Sequence, residues 1–112
     1  MESDLTYLRH ILDAIEKIER YIAGTDYEAF CANDMMVDAV VRELEIIGEA
    51  AKHLSRGFLS EHGDVPWHRI KAMRNVLIHE YFGVVLKVVW DTCHSNVPRL
   101  KALVQRVLAE QP

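Results

Sequence analysis

Glycine and proline are scarce in this 112-residue chain, at five and three residues. So few turn formers argue against a strand-and-turn fold and favour long helices with short connections. Cysteine is scarcer still. Cys31 and Cys93 stand far apart and match neither a redox pair nor a zinc-ligand spacing, so two reduced core thiols are expected. No apolar run approaches the roughly 20 residues that span a bilayer. The acidic start Met1-Glu2-Ser3-Asp4 has no signal-peptide character, and a cytoplasmic location with no membrane partner is expected. Positive charge is also short: 13 lysines and arginines against 17 acidic residues leave a net charge of −4. A global field that attracts nucleic acid is thereby excluded, and any such site has to be a local basic patch.

What the chain does have is a helical pattern. Half of its residues are apolar and 27% are charged, a globular balance that fits one domain over residues 1–112. From about residue 4 to 23, Leu5, Leu8, Ile11, Leu12, Ile15, Ile18 and Ile22 recur at three-and-four spacing. Asp13, Glu16, Lys17 and Arg20 fill the other side. Gly24 follows as a C-terminal cap, and Thr25-Asp26-Tyr27-Glu28 has the form of a capping box that opens a short turn through Phe30. Asn33 or Asp34 can cap a second long helix to about Leu54, striped by Met36, Val40, Ile47, Ala51 and Leu54, with Leu44 beside them. Gly48 in its middle costs roughly 1 kcal/mol relative to alanine, which is tolerable where another helix backbone comes close.

Arg56 to Gly63 reads as a connector with a helical turn at Phe58-Leu59. Asp64-Val65-Pro66 restarts the pattern, with aspartate as N-cap and proline in the first turn. A third long helix then carries Trp67, Ile70, Met73, Leu77 and Tyr81, and Gly83 ends it. Val85, Val88, Val89 and Trp90 mark a fourth helix, and Asn96-Val97-Pro98 starts a last one through Leu100, Leu103, Val104, Val107 and Leu108. The expected fold class is all-α, an antiparallel up-and-down bundle of four to five helices. Trp67, Trp90 and the Met35-Met36 pair are read as core or interface packing.

Arg74-Asn75-Val76-Leu77-Ile78-His79-Glu80-Tyr81 stands out from this plain scaffold. A fixed cation, a group that titrates near neutral pH and a phenol are the parts needed to cleave RNA without a metal. Each also has a bland reading, as helix former, helix-end imidazole and packed ring. Helix geometry constrains the functional one. At 3.6 residues per turn, Arg74 and Tyr81 fall within about 20° of each other, while His79 lies roughly 140° from Arg74. One straight helix therefore cannot aim all three at one ligand. Either the helix loosens before Gly83, or the groups meet across an interface with a second copy. Asn75, four residues before His79, is placed to hydrogen-bond the imidazole and fix its tautomer. His10, His53, His62, His68 and His94 show no pairing with cysteine or carboxylate at ligand spacing, so neither a metal nor another cofactor is expected.

The segment fits the Arg-x4-His-x-Tyr signature of HEPN-domain ribonucleases. Its flanks, Leu44-Glu45-Ile46-Ile47-Gly48-Glu49-Ala50-Ala51, Pro66-Trp67, Met73 to Gly83 and Val89-Trp90-Asp91, resemble the HepT-like branch, and the likeness runs from about Leu8 to Leu108. That resemblance implies a small helical toxin paired with an MntA-like minimal nucleotidyltransferase antitoxin. It implies a homodimer whose two motif copies line a cleft, within a complex that grows larger when the antitoxin joins. Arg74 and His79 would be the catalytic residues of a metal-independent endoribonuclease, with Asn75 and the variable polar Glu80 in support. Lys71 and Arg69 would add to the positive charge of the cleft. Tyr81 would be the switch, a phenol that the partner modifies with AMP. Two other readings stay open: a non-catalytic module that binds a nucleotidyltransferase or a nucleotide, and a purely structural helical dimer.

Overall fold

Helices make up the architecture, with no strand among the described residues. The structure is a computed structural model that describes residues 2–79 and 85–111, apart from the side chains of Glu2, Met73, residues 75–79 and Val85. Seven helices follow in order: α1 (Glu2–Ile22), α2 (Tyr27–Cys31), α3 (Asp34–Lys52), α4 (Arg56–Glu61), α5 (Trp67–His79), α6 (Val85–His94) and α7 (Asn96–Ala109). Two of the seven, α2 and α4, are short, at five and six residues, and each sends one phenylalanine, Phe30 and Phe58, into the core built by the longer helices.

The stripe on α1 buries Leu8, Ile11, Ile15 and Ile18. Gly24 then takes a left-handed φ of +72°, the conformation a glycine cap adopts most easily. The capping-box expectation is corrected by one residue. Asp26, not Thr25, is the N-cap of α2, and its carboxylate accepts from the Ala29 N–H at 2.8 Å. Asn33 caps α3 in the same way, accepting from the Met36 N–H at 3.0 Å. The connector after α3 holds the helical turn expected at Phe58-Leu59 as α4, capped by Ser55, whose hydroxyl accepts from the Phe58 N–H at 3.2 Å. Among the described residues Asp64 makes no capping hydrogen bond. The helix begins at Trp67, and the Pro66 carbonyl accepts its first bonds, from the Arg69 and Ile70 N–H groups at 3.0 and 3.1 Å. Trp67 is buried and donates its indole N–H to the His62 carbonyl at 3.0 Å.

The most extensive packing joins α3 to α1 on one side and to α5 on the other, while α7 lies against α1 and α6. Asp4 ties the start of α1 to the end of α3, because its buried carboxylate accepts from both the N–H and the hydroxyl of Ser55, at 2.8 and 2.7 Å. The two helices therefore run antiparallel. On α6, Val89 is buried but Val88 is half exposed, a correction to the expected stripe. The two side chains stand about 100° apart on the helix, and only one face meets the core. The packing expected of Met73, Leu77, Tyr81 and Val85, and the stop at Gly83, lie outside the described residues. Among the described residues no helix is long and apolar enough to cross a membrane.

Candidate functional site

Gly48 determines where α5 sits. A Cβ placed there would meet the Ile70 carbonyl oxygen at 3.0 Å and the Arg74 amide nitrogen at 3.2 Å. The missing side chain lets the α5 backbone press directly on α3, and it does so at the turn that carries Arg74. The expected reason for a mid-helix glycine is thus met at the residue where it matters for the site.

From that contact the Arg74 side chain reaches over α3 to Glu49. Its Nη1 lies 2.8 Å from Glu49 Oε2. That oxygen is shut off from water and has no well-directed hydrogen bond, so the contact is charge against charge rather than an aligned donor and acceptor. Both side chains are nearly half exposed, at 45% and 44%, which keeps the pair weak as a source of stability. Its consequence is positional. A guanidinium has five N–H donors, and among the described residues Glu49 engages only Nη1.

Glu49 also faces His53, with Oε1 at 3.7 Å from His53 Nε2, an ion pair whenever the imidazole is protonated. The imidazole in turn stacks on Tyr7 of α1, with ring centres 4.8 Å apart and planes at 14°. Tyr7, His53, Glu49 and Arg74 therefore form a continuous line across α1, α3 and α5. They border a groove of about 430 Å³, to which Arg42, Glu45 and His10 add further polar walls. Ile46 and Ala50 supply its apolar floor.

Of the residues expected in the site, Arg74 is the one whose side chain is described. The α5 backbone continues as helix through Asn75 to His79, so Arg74 and His79 keep their separation of roughly 140° around the axis. The side chains of Asn75 and His79, and all of Glu80 and Tyr81, lie outside the described residues. Arg69 and Lys71 are not among the residues lining the groove. Within this groove of the single chain the charge is mixed, because Arg74 comes with a carboxylate beside it and Glu45 lines the same wall. Sequence reading missed Tyr7, Arg42 and His53 as site components and used Glu45 and Glu49 only as flanking text. Glu45, Glu49 and His53 recur every four residues on α3, a pattern that also describes an ordinary solvated face. Among the described residues no group of three or more histidine, cysteine or acidic side chains is arranged to hold a metal ion.

A family model described as HepT-like ribonuclease matches residues 11–107. A protein of Caldanaerobacter subterraneus subsp. tengcongensis, provisionally named as an RNase, is 40% identical over 99% of both chains. A protein of Thermococcus cleftensis, provisionally named ribonuclease HepT, is 40% identical over 90% of this chain and 92% of its own. A further provisionally named RNase, from Methanocaldococcus jannaschii, is 36% identical over 90% of this chain and 93% of its own. No solved structure matches the chain.

Proposed function

The chain belongs to the HepT-like ribonuclease family, and on that premise we propose that it is a metal-independent endoribonuclease acting as the toxin of a toxin–antitoxin pair. The observation that carries this reading is Arg74, held by Glu49 at the head of an open groove, with Nη1 alone engaged among the described residues. Such a guanidinium can meet the charge that develops on a phosphoryl group in flight.

His79 supplies the proton chemistry. In one role it removes the proton from a ribose 2′-hydroxyl, whose oxygen attacks the adjacent phosphorus. In the other it returns a proton to the departing 5′-oxygen. The products are a 2′,3′-cyclic phosphate and a 5′-hydroxyl, with no water consumed in the step. The helical course from Arg74 to His79 supports an active site shared between two copies. With no break between them, positions 74 and 79 stand roughly 140° apart around one helix axis, and a second protomer brings a matching Arg74 or His79 to the same cleft.

Regulation belongs to the same reading. The partner is an MntA-like nucleotidyltransferase that transfers AMP from ATP to the Tyr81 phenol and releases pyrophosphate. The added phosphate brings negative charge and bulk to a cleft meant for an RNA phosphate. The deciding experiment is cleavage of RNA by the purified protein in excess chelator, with His79→Ala alongside. Cutting that survives chelation and disappears in His79→Ala is expected. Loss on chelation would overturn the metal-free mechanism, and an active His79→Ala protein would remove His79 from the chemistry. Intact mass after co-expression with the transferase should show AMP units on wild type and none on Tyr81→Phe.

A further inference from the structure

The groove that ends at Arg74 is larger than one arginine needs to meet one phosphate. Its volume of about 430 Å³ lies in the range of sites that enclose a small organic ligand. We propose that it is a subsite for one unstacked nucleobase of the RNA strand, with a preference for guanine. This rests on the ribonuclease reading and names what that site recognises beyond the phosphate.

Three features point to a base. The first is the flat pair formed by Tyr7 and His53, stacked at 4.8 Å and nearly parallel. His10 meets the Tyr7 ring edge-on at 5.7 Å and so holds it upright. A base splayed from a single strand extends such a stack, whatever its identity. The second is charge placement along α3. Arg42 lies seven residues before Glu49, about 10 Å along the helix axis from the turn that faces Arg74, and it has no ion pair or hydrogen bond among the described residues. Arg42 and Arg74 thus stand in file along α3 on one side of the stacking wall, where the phosphates of a strand leaving a bound base would run. The third is Glu45, which lines the groove between them and likewise has no described partner. An ionised carboxylate only accepts hydrogen bonds. Guanine presents two adjacent N–H donors, N1–H and the 2-amino group, to one carboxylate. Adenine and cytosine present one donor group beside an acceptor, and uracil flanks its single N–H with two carbonyls that a carboxylate repels. The wall selects a base and Glu45 selects which one.

The test compares GMP and UMP binding to the full-length protein by calorimetry, with RNA cleavage measured in parallel. Wild type is expected to bind GMP on the order of tenfold more tightly than UMP. Tyr7→Ala should weaken both nucleotides on the order of tenfold, the loss expected of one stacking contact. Tyr7→Phe should keep the affinity. Glu45→Gln, on the half-buried wall of the groove, should collapse the preference for GMP while leaving thermal unfolding unchanged. Cleavage at ordinary KM by Tyr7→Ala and Glu45→Gln would overturn the subsite and leave the ribonuclease reading standing. Selective GMP binding by a protein that cuts no RNA would support the subsite and reject the ribonuclease. If Tyr7→Ala instead changes the oligomeric state with nucleotide affinity untouched, the groove is a protein interface and the proposal fails.

Discussion

Arg74 and Glu49 form a pair whose value lies in geometry rather than in stability. At nearly half exposure an ion pair of this kind contributes at most about 1 kcal/mol to folding, so Glu49→Gln should melt close to wild type. Its effect belongs in turnover. Without the carboxylate the guanidinium samples more orientations, and kcat should fall about tenfold while the KM for RNA changes little or drops. Arg74→Ala should lose about a hundredfold or more, and Arg74→Lys should recover little of it, because an ammonium lacks the planar fork. Steady-state cleavage of one defined RNA separates these outcomes. Equal losses in Glu49→Gln and Arg74→Ala would show that Glu49 does more than position. The sequence made Arg74 legible because a motif marks it. Glu49 was legible only as flanking text, since its role depends on a turn of α5 that arrives 25 residues later.

Cys93 gives a second prediction at this scale. Burial pushes its thiol from the ordinary 9 up to about 12, while Cys31 is only half buried. A thiol reagent at neutral pH should label Cys31 and leave Cys93 untouched until the protein unfolds. The raised value means that the folded state keeps its proton after the unfolded chain has lost it. The contribution is therefore fully present below about pH 9 and is lost as pH rises toward 12, up to on the order of 4 kcal/mol. Denaturant melts at pH 8, 10 and 11 should show a steeper decline for wild type than for Cys93→Ala. Parallel declines would reject the linkage.

At the scale of elements, the crossing of α3 and α5 at Gly48 decides where the chemistry sits. Gly48→Ala gains helix propensity of about 1 kcal/mol, but its methyl would press on the Ile70 carbonyl and the Arg74 amide, both of them backbone. Overpacking of this kind costs roughly 1–3 kcal/mol. The net effect should be a loss on the order of 1 kcal/mol, read as a lower melting temperature. The larger effect should be on cleavage, because the shifted turn is the one that carries Arg74. An alanine variant with full activity and unchanged melting would mean that α5 yields without consequence. The long amphipathic elements were readable because each carries its own stripe, as Leu8, Ile11, Ile15 and Ile18 do on α1. Elements that depend on distant contacts were not. The cap of α4 is Ser55, and Ser55 is fixed by Asp4 from 51 residues away, a relation no local window contains. Val88 misled for a related reason, since an apolar run says nothing about how much of a short helix its neighbours cover.

For the whole molecule, the acidic balance of −4 and the mixed charges around the groove mean that RNA is not drawn in by a broad positive field. Affinity has to come from a few placed contacts, which the second protomer of the proposed dimer would double. Whether the second copy also completes the chemistry was not readable from the sequence, because helix periodicity left two routes open. The helical backbone through His79 argues against loosening as the way to unite Arg74 with His79, and the proposed shared cleft is the route to test. Complementation tests this directly. Arg74→Ala and His79→Ala proteins should each be inactive alone. Mixed in equal amounts and allowed to exchange subunits, half of the dimers become hybrids, and each hybrid holds one intact pairing of Arg74 from one protomer with His79 from its partner. Activity should return to about a quarter of wild type. If each protomer works with its own Arg74 and His79, no hybrid contains a complete set and the mixture stays silent. Native mass spectrometry of the mixture, in which the hybrid dimer falls between the masses of the two homodimers, distinguishes that silence from a failure to exchange. Recovery near a quarter therefore assigns the active site to the dimer, and silence in a fully exchanged mixture returns it to the single chain.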